Sequence, residues 1–403
     1  MLWWSKYIIS GRPKYLISRG KRVTIEERLV ATNYRGPGFD QIRLFAAIVV
    51  LLYHSRSVEY ADLQADPLFN YSGGFVQFGL LAVLVFFAIS GFLVTPGLAR
   101  SGNVIEYMVH RALRIFPALF VVVVGSMLIL GPLLTVLSLA SYFSDPNFYL
   151  YGKNILTLSV RYLPGVLAKD GQPIIVNGAL WTLHFEVLSY LALALVSMLV
   201  GLGRRGVWLA VYLASYAAYV AISLIPAVVA LLPDRFVTFV GLFVYFAGGA
   251  TVYLFRDWIP FSKMLALGAL AAVIVALPAG VGGVFMPVCL PYLIIFVGLS
   301  TLPGSSLFKR DLSYGVYLIH APILVVLMSL FPGVQTWWVG AGIVLIITLF
   351  LAYLSWTFVE APTLKQKRHL SKLINDKIAA LRPRWSMRDP VHIEVVRQSR
   401  DGR

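Results

Sequence analysis

VQTWWVGAGIVLIITLFLAYLSW, Val334–Trp356, holds no Asp, Glu, Lys, Arg or His in 23 residues. About 20 apolar residues are enough for a helix to cross a bilayer. The run is continuous and does not alternate with period two, so it reads as a membrane helix and not as a strand of a membrane barrel. Val207–Ile225 reads the same way. Working outward, similar windows predict ten spans, at about 39–57, 75–97, 114–138, 179–201, 207–226, 236–256, 262–280, 283–300, 312–331 and 335–359. Only glycine-rich residues part the seventh from the eighth.

Composition agrees with that reading. Hydrophobic residues make up 59% of the 403 and charged residues 13%, with a mean hydropathy of +0.79. A soluble domain carries about twice that charged fraction. The expected fold class is an all-α polytopic membrane protein, about ten transmembrane helices in one bundle. A basic N-terminal segment (1–38) precedes the membrane domain (39–360), and a basic tail (361–403) follows it. The tail is too short for an enzyme domain of its own, so any chemistry belongs to the bundle or its loops. The N-terminus has no pattern of a cleavable signal peptide. The single Cys289 excludes an internal disulfide and a cysteine-based metal cluster, and no metal is expected.

The net charge is +16. Basic residues cluster before residue 38, at Arg100, Arg111 and Arg114, at Arg204 and Arg205, at Lys309 and Arg310, and from Lys365 onward. The first connection instead carries Glu59, Asp62 and Asp66 against Arg56. With ten spans, all basic segments fall on one side, which places both termini in the cytoplasm and the 139–178 connection outside. The charge therefore reports orientation and contact with anionic membrane lipid. No basic–aromatic interleaving marks a nucleic-acid partner, and nothing in the chain reports its oligomeric state.

Ionisable residues inside spans are usually functional. Arg43 and His54 lie eleven residues apart in RLFAAIVVLLYH, about 16 Å and close to three helical turns, so they share a face. A snorkelling arginine and a histidine bonded to a backbone carbonyl is the plainer alternative. Ser90 and Gly91 interrupt FFAISGFLV, for close approach of a ligand or of another helix. In HRALRIFPAL, Arg111 and Arg114 share a helix face, with Pro117 shaping the helix entry. They suit a phosphate clamp or simple positive-inside anchoring.

In WTLHFEVLSYLA, Glu186 enters a span beside His184, with Trp181 and Tyr190 as rings. At a depth similar to that of His54, it could pair with that imidazole or form a structural salt bridge. Tyr314, Tyr317 and His320 make one stripe in LSYGVYLIHAPI. Glu360 ends the last span, as a partner for Arg43 or Arg114 or as an ordinary helix stop before proline.

FDQIR with the Arg43–His54 spacing, FFAISGFLV, RALRIFP, WTLHFE, SYGVYLIH and FVEAP occur in this order over residues 39 to about 362. Together they resemble acyltransferase family 3 of the membrane-bound acyltransferases, in the sugar O-acyltransferase type without a fused esterase-like domain. Gln41 stands where the family usually has glycine. The resemblance implies a multi-pass protein of the bacterial cytoplasmic (inner) membrane. It implies transfer of an acyl group, acetyl in most relatives, from cytoplasmic acyl-CoA to a hydroxyl of a sugar or glycan. Acyl-CoA is then a co-substrate and no bound cofactor is expected. His54 would be the base or acyl carrier and Glu186 its orienting partner. Arg43, Arg111 and Arg114 would bind the CoA phosphates, with Ser90 and Gly91 along the acyl path. With no esterase-like extension, transfer would go to the final acceptor directly. The rival readings are a proton-coupled transporter of a glycan or lipid intermediate, against which the lack of an internal repeat counts, and a structural subunit.

Overall fold

Within a bilayer every backbone N–H and C=O must be satisfied inside the segment, which forces helices. The computed structural model describes residues 23–34, 36–60, 66–101, 103–167, 171–304, 310–331 and 336–381. Among these the only β pairing is three isolated bridges. The expectations for residues 1–22, for Asp62 and Lys309, and for 382–403 fall outside the described residues.

Helix α1 (Ile25–Ala31) opens with a capping box of Thr24 and Glu27. It docks through Arg28 Nε on the Leu299 carbonyl at 2.9 Å, and Glu26 pairs with Arg256. Helices α2 (Phe39–Tyr60), α3 (Pro67–Tyr71) and α4 (Phe78–Ser101) follow. α5 (Val104–Gly125), capped by Asn103, continues through a π-helical turn at Ser126–Leu130 into α6 (Gly131–Leu134). The long connection contains α7 (Leu139–Ser144), α8 (Pro146–Gly152) and 3₁₀ turns at Lys153–Leu156 and Gly178–Leu180. Then come α9 (Trp181–Val200), α10 (Arg205–Leu224), α11 (Pro226–Leu231), α12 (Asp234–Leu254), α13 (Lys263–Ala276), α14 (Gly282–Leu299), α15 (Ser313–Leu330) and α16 (Trp337–Ser355). A second π-helical turn, Trp356–Glu360, leads into α17 (Ala361–Lys365) and α18 (Lys367–Leu381).

Eight helical segments among the described residues are long and apolar enough to cross a bilayer. Two more occupy predicted spans: α2, whose 22 residues include Asp40, Arg43, Arg56 and Glu59, and α13, with 14 residues. The molecule is thus an all-α polytopic membrane protein. The third span needs correction. Its helical segment runs from Val104 to Leu134, starting ten residues before the expected 114. Pro117 therefore lies inside α5 and not at its entry. The charges of HRALR hid a helical first half from a hydropathy reading.

The buried centre is built from α2, α4, α12 and α15. α4 and α12 cross so closely that a Cβ on Gly91 would strike the Phe246 carbonyl, and one on Gly249 the Ala88 carbonyl. Paired glycines permit this backbone approach where any side chain would hold the helices apart. α18 lies against α5, where the His110 Nε2 and Ser371 Oγ are 2.8 Å apart.

Candidate active site

Four of these helices define two levels of polar lining. At the first, Arg43 on α2, Ser90 on α4, Glu186 on α9 and Tyr314 on α15 wall a narrow cavity of about 50 Å³. At the second, His54, Trp181, Tyr317 and Gln77, the residue just before α4, wall a larger one of about 440 Å³. Each helix moves one level on in its own direction: α2 and α15 ascend in number, α4 and α9 descend. Val83 and Tyr317 belong to both walls and separate the two spaces.

An ion cluster sits at the Arg43 end. The Asp311 Oδ2 accepts from Arg43 Nη1 at 2.6 Å and from Arg114 Nη2 at 2.5 Å. The other oxygen accepts from the Ser313 hydroxyl, also at 2.5 Å. Burial alone would raise the Asp311 carboxyl, but the two guanidiniums and Ser313 outweigh it and hold it well below the usual carboxylate range. Arg114 Nη1 reaches Glu360 Oε2 at 3.0 Å, and Ser355 donates to the other Glu360 oxygen at 3.2 Å. The π-helical turn at Trp356–Glu360 adds a residue to the turn and rotates Glu360 inward, where it is only 2% exposed. Of the two partners foreseen for Glu360, the structure selects Arg114.

The joint clamp foreseen for Arg111 and Arg114 is divided. Arg114 lies 5.3 Å from the Tyr314 ring and is held by two carboxylates. Arg111 has no carboxylate partner among the described residues. It packs 6.0 Å from the rings of both Tyr107 and Tyr190, and its buried Nε lacks a hydrogen-bond acceptor.

At the larger cavity, His54 Nδ1 and His320 Nε2 are 2.9 Å apart, with the rings stacked at 5.1 Å. The other nitrogen of His320, Nδ1, is 3.0 Å from the Val316 carbonyl. A carbonyl only accepts, so neutral His320 carries its proton on Nδ1 and presents Nε2 as a lone pair. His54 must then donate from Nδ1, which leaves its own Nε2 unprotonated. That nitrogen is 3.9 Å from where a Cβ on Gly178 would stand, so the glycine keeps the space beside it open. His320 is fully buried. The pair follows the logic of a base oriented by a second group, with a neutral imidazole in the orienting place.

This pairing corrects the one foreseen between His54 and Glu186. Glu186 accepts instead from Tyr190, a turn further along α9, and from Ser90 Oγ at 3.4 Å. The reason is depth. Gly178 and Trp181 are level with His54, and Glu186 lies five residues beyond Trp181, about 7.5 Å along the helix. Gly91 needs correction too: Ser90 lines the narrow cavity, whereas Gly91 faces the backbone of α12.

Supporting residues lock the partition. Tyr317 donates to the Ala179 carbonyl at 3.0 Å and lies 2.6 Å from Thr182 Oγ1. Asn177 caps the turn before α9 and donates 2.9 Å to the Leu318 carbonyl, tying the long connection to α15 beside the histidine pair. Gln41 donates to the Pro303 carbonyl at 2.8 Å, anchoring the start of α2. Asp311, Asn177, Gly178 and Thr182 were not foreseen. Asp311 reads in sequence as a loop acid, and the others carry no charge pattern to betray them. Trp181 lines the larger cavity.

The structure is thus a polytopic helical bundle in which a half-buried histidine, His54, stands on a cavity wall with its tautomer set by the buried His320. A family described as the Acyltransferase domain matches residues 37–357. The chain belongs to that family and is a membrane acyltransferase. Among similar proteins, an O-acetyl transferase of Shigella phage Sf6 is 30% identical over 341 residues, covering 80% of this chain and 94% of the relative. Nodulation protein 10 of Rhizobium leguminosarum bv. viciae is 30% identical over 352 residues, covering 82% and 94%. No solved structure matches the chain.

Proposed function

We propose that the protein is an O-acyltransferase of the bacterial cytoplasmic membrane that moves an acetyl group from cytoplasmic acyl-CoA to a hydroxyl of a sugar or glycan. The observation that carries this reading is the His54–His320 pair, which turns an unprotonated Nε2 onto the wall of the 440 Å³ cavity. The acceptor hydroxyl gives its proton to Nε2 as its oxygen attacks the thioester carbonyl. The new C–O ester bond forms, the C–S bond breaks, and the proton passes on to the departing CoA sulfur.

The donor enters from the Arg43 end, which positive-inside charge places at the cytoplasm. Arg43 lines the narrow cavity and meets the pantetheine arm while paired to Asp311. Arg111, without a carboxylate partner, takes a CoA phosphate, and Lys367, near enough to feel Arg111 and Arg114, adds a second charge. Arg114 and Glu360 hold that mouth together. The name of the phage relative supports acetyl as the group and oxygen as the acceptor atom.

The test pairs two measurements. Purified protein should release thiol from acetyl-CoA when a glycan acceptor is present, and His54→Ala should not. Cells with the gene should carry glycans about 42 mass units heavier per acetyl group than cells without it. Thiol release unaffected by His54→Ala would end this reading.

A further inference from the structure

The His54 cavity continues at Ser159, Arg161 and Trp181 into a groove of about 530 Å³ that also meets His184 and Arg235. Two guanidiniums from separate elements thus border one space, Arg161 on the long connection and Arg235 in the first turn of α12. Arg43, Arg114, Arg205 and Arg256 each pair with a carboxylate, whereas Arg161 and Arg235 have no side-chain ion pair or hydrogen bond among the described residues.

The Arg161 segment is built to hold position. The amide of Asn154, 1% exposed, grips Val160 from both sides, accepting from its N–H at 2.8 Å and donating to its carbonyl at 2.9 Å. The Val176 N–H donates to the Arg161 carbonyl at 2.9 Å. Trp181 lies where the groove and the cavity meet, a flat apolar face of the kind on which a sugar ring stacks.

We propose that this groove is the subsite for a phosphate or diphosphate ester borne by the acceptor next to the sugar that is acylated. The inference rests on the acyltransferase reading above. With its hydroxyl at His54 Nε2 and its ring over Trp181, such an acceptor reaches Arg161 and Arg235 with its anionic end. Two guanidiniums match a phosphate geometrically through paired N–H donors.

The same chemistry is offered by a lipid headgroup, so the test has two arms. Wild type and the Arg161→Gln/Arg235→Gln double variant are placed in zwitterionic nanodiscs with acetyl-CoA. They receive a neutral oligosaccharide or the same oligosaccharide as its 1-phosphate. In wild type, kcat/KM should favour the phosphorylated acceptor by about tenfold or more, and in the double variant the ratio should fall toward one. An unchanged ratio overturns the subsite. So does a double variant that loses only a stimulation by added phosphatidylglycerol, which assigns both arginines to lipid headgroups. The single variants carry the test if the double variant fails to fold. Calorimetric titration of the phosphorylated oligosaccharide without donor separates the two readings. Arginine-dependent binding without any transfer removes the acyltransferase reading and keeps the subsite. Transfer with an unchanged ratio removes the subsite alone.

Discussion

At His54 the direction of one hydrogen bond decides whether the Nε2 beside Gly178 carries a proton. His320 is held by the Val316 carbonyl and so obliges His54 to donate from Nδ1. His54→Ala should therefore abolish transfer and leave the unfolding midpoint near that of wild type. His320→Leu removes the lock without removing the base. Its kcat should fall about a hundredfold, the donor KM should change little, and the pH–rate limb assigned to His54 should shift. A change confined to KM would deny His320 a positioning role. Asp311→Asn tests the ion cluster. Losing the shared carboxylate leaves two close guanidiniums, at a cost of about 3 kcal/mol in thermal or denaturant unfolding. Because the Asp311 carboxyl is depressed on folding, its contribution is complete above the ordinary carboxylate range and shrinks as pH falls below about 4. The stability gap between wild type and variant should narrow on that side only.

The Arg43–His54 spacing and the Tyr314–Tyr317–His320 stripe were legible because helical period alone sets each on one helix face; Arg43, His54, Tyr314 and Tyr317 line the cavities, and His320 is fully buried against His54. The histidine pairing was not, because a hydropathy window fixes depth only to within about a turn, and Glu186 misses His54 by more than that.

Between elements, the α4–α12 crossing and the mouth of the narrow cavity are neighbours on one helix. Ser90→Ala should leave folding intact and lower turnover. Gly91→Leu should separate α4 from α12 and reduce the yield of folded protein, since no rotation of a flexible side chain relieves a clash with the Phe246 carbonyl. Fluorescence-detected size exclusion of the two variants distinguishes lining from packing. Equal behaviour would contradict the division between adjacent residues. Sequence pattern offered both roles for the pair and could not choose, because the choice depends on which helix arrives opposite. The π-helical turn at Trp356–Glu360 was also illegible. A one-residue insertion in the hydrogen-bond register leaves the hydropathy of a span unchanged, yet it decides where Glu360 points.

At the scale of the molecule, the ten hydrophobic windows each found a helix, since bilayer-length apolar runs have few other solutions. The window that began late, at α5, is the one whose first half is charged. The same charges set the expected topology. In a Cys289→Ser background, a cysteine at Lys153 should react only with reagent added outside, and one at Arg204 only after the cytoplasmic face is opened. Labelling of Lys153→Cys from the cytoplasm alone would invert the reading of which cavity meets the donor.

Val83 and Tyr317 wall both cavities, so the insulating layer of the bundle is one side chain thick at that level. An elementary charge carried across the full membrane potential exchanges about 2.3 kcal/mol per 100 mV. In the proposed reaction the acyl thioester passes that level uncharged. If the sulfur recovers a proton by way of His54 before the arm withdraws, the return passage is uncharged as well. Turnover is then electrically silent, and its rate in proteoliposomes should be the same with or without an imposed potential.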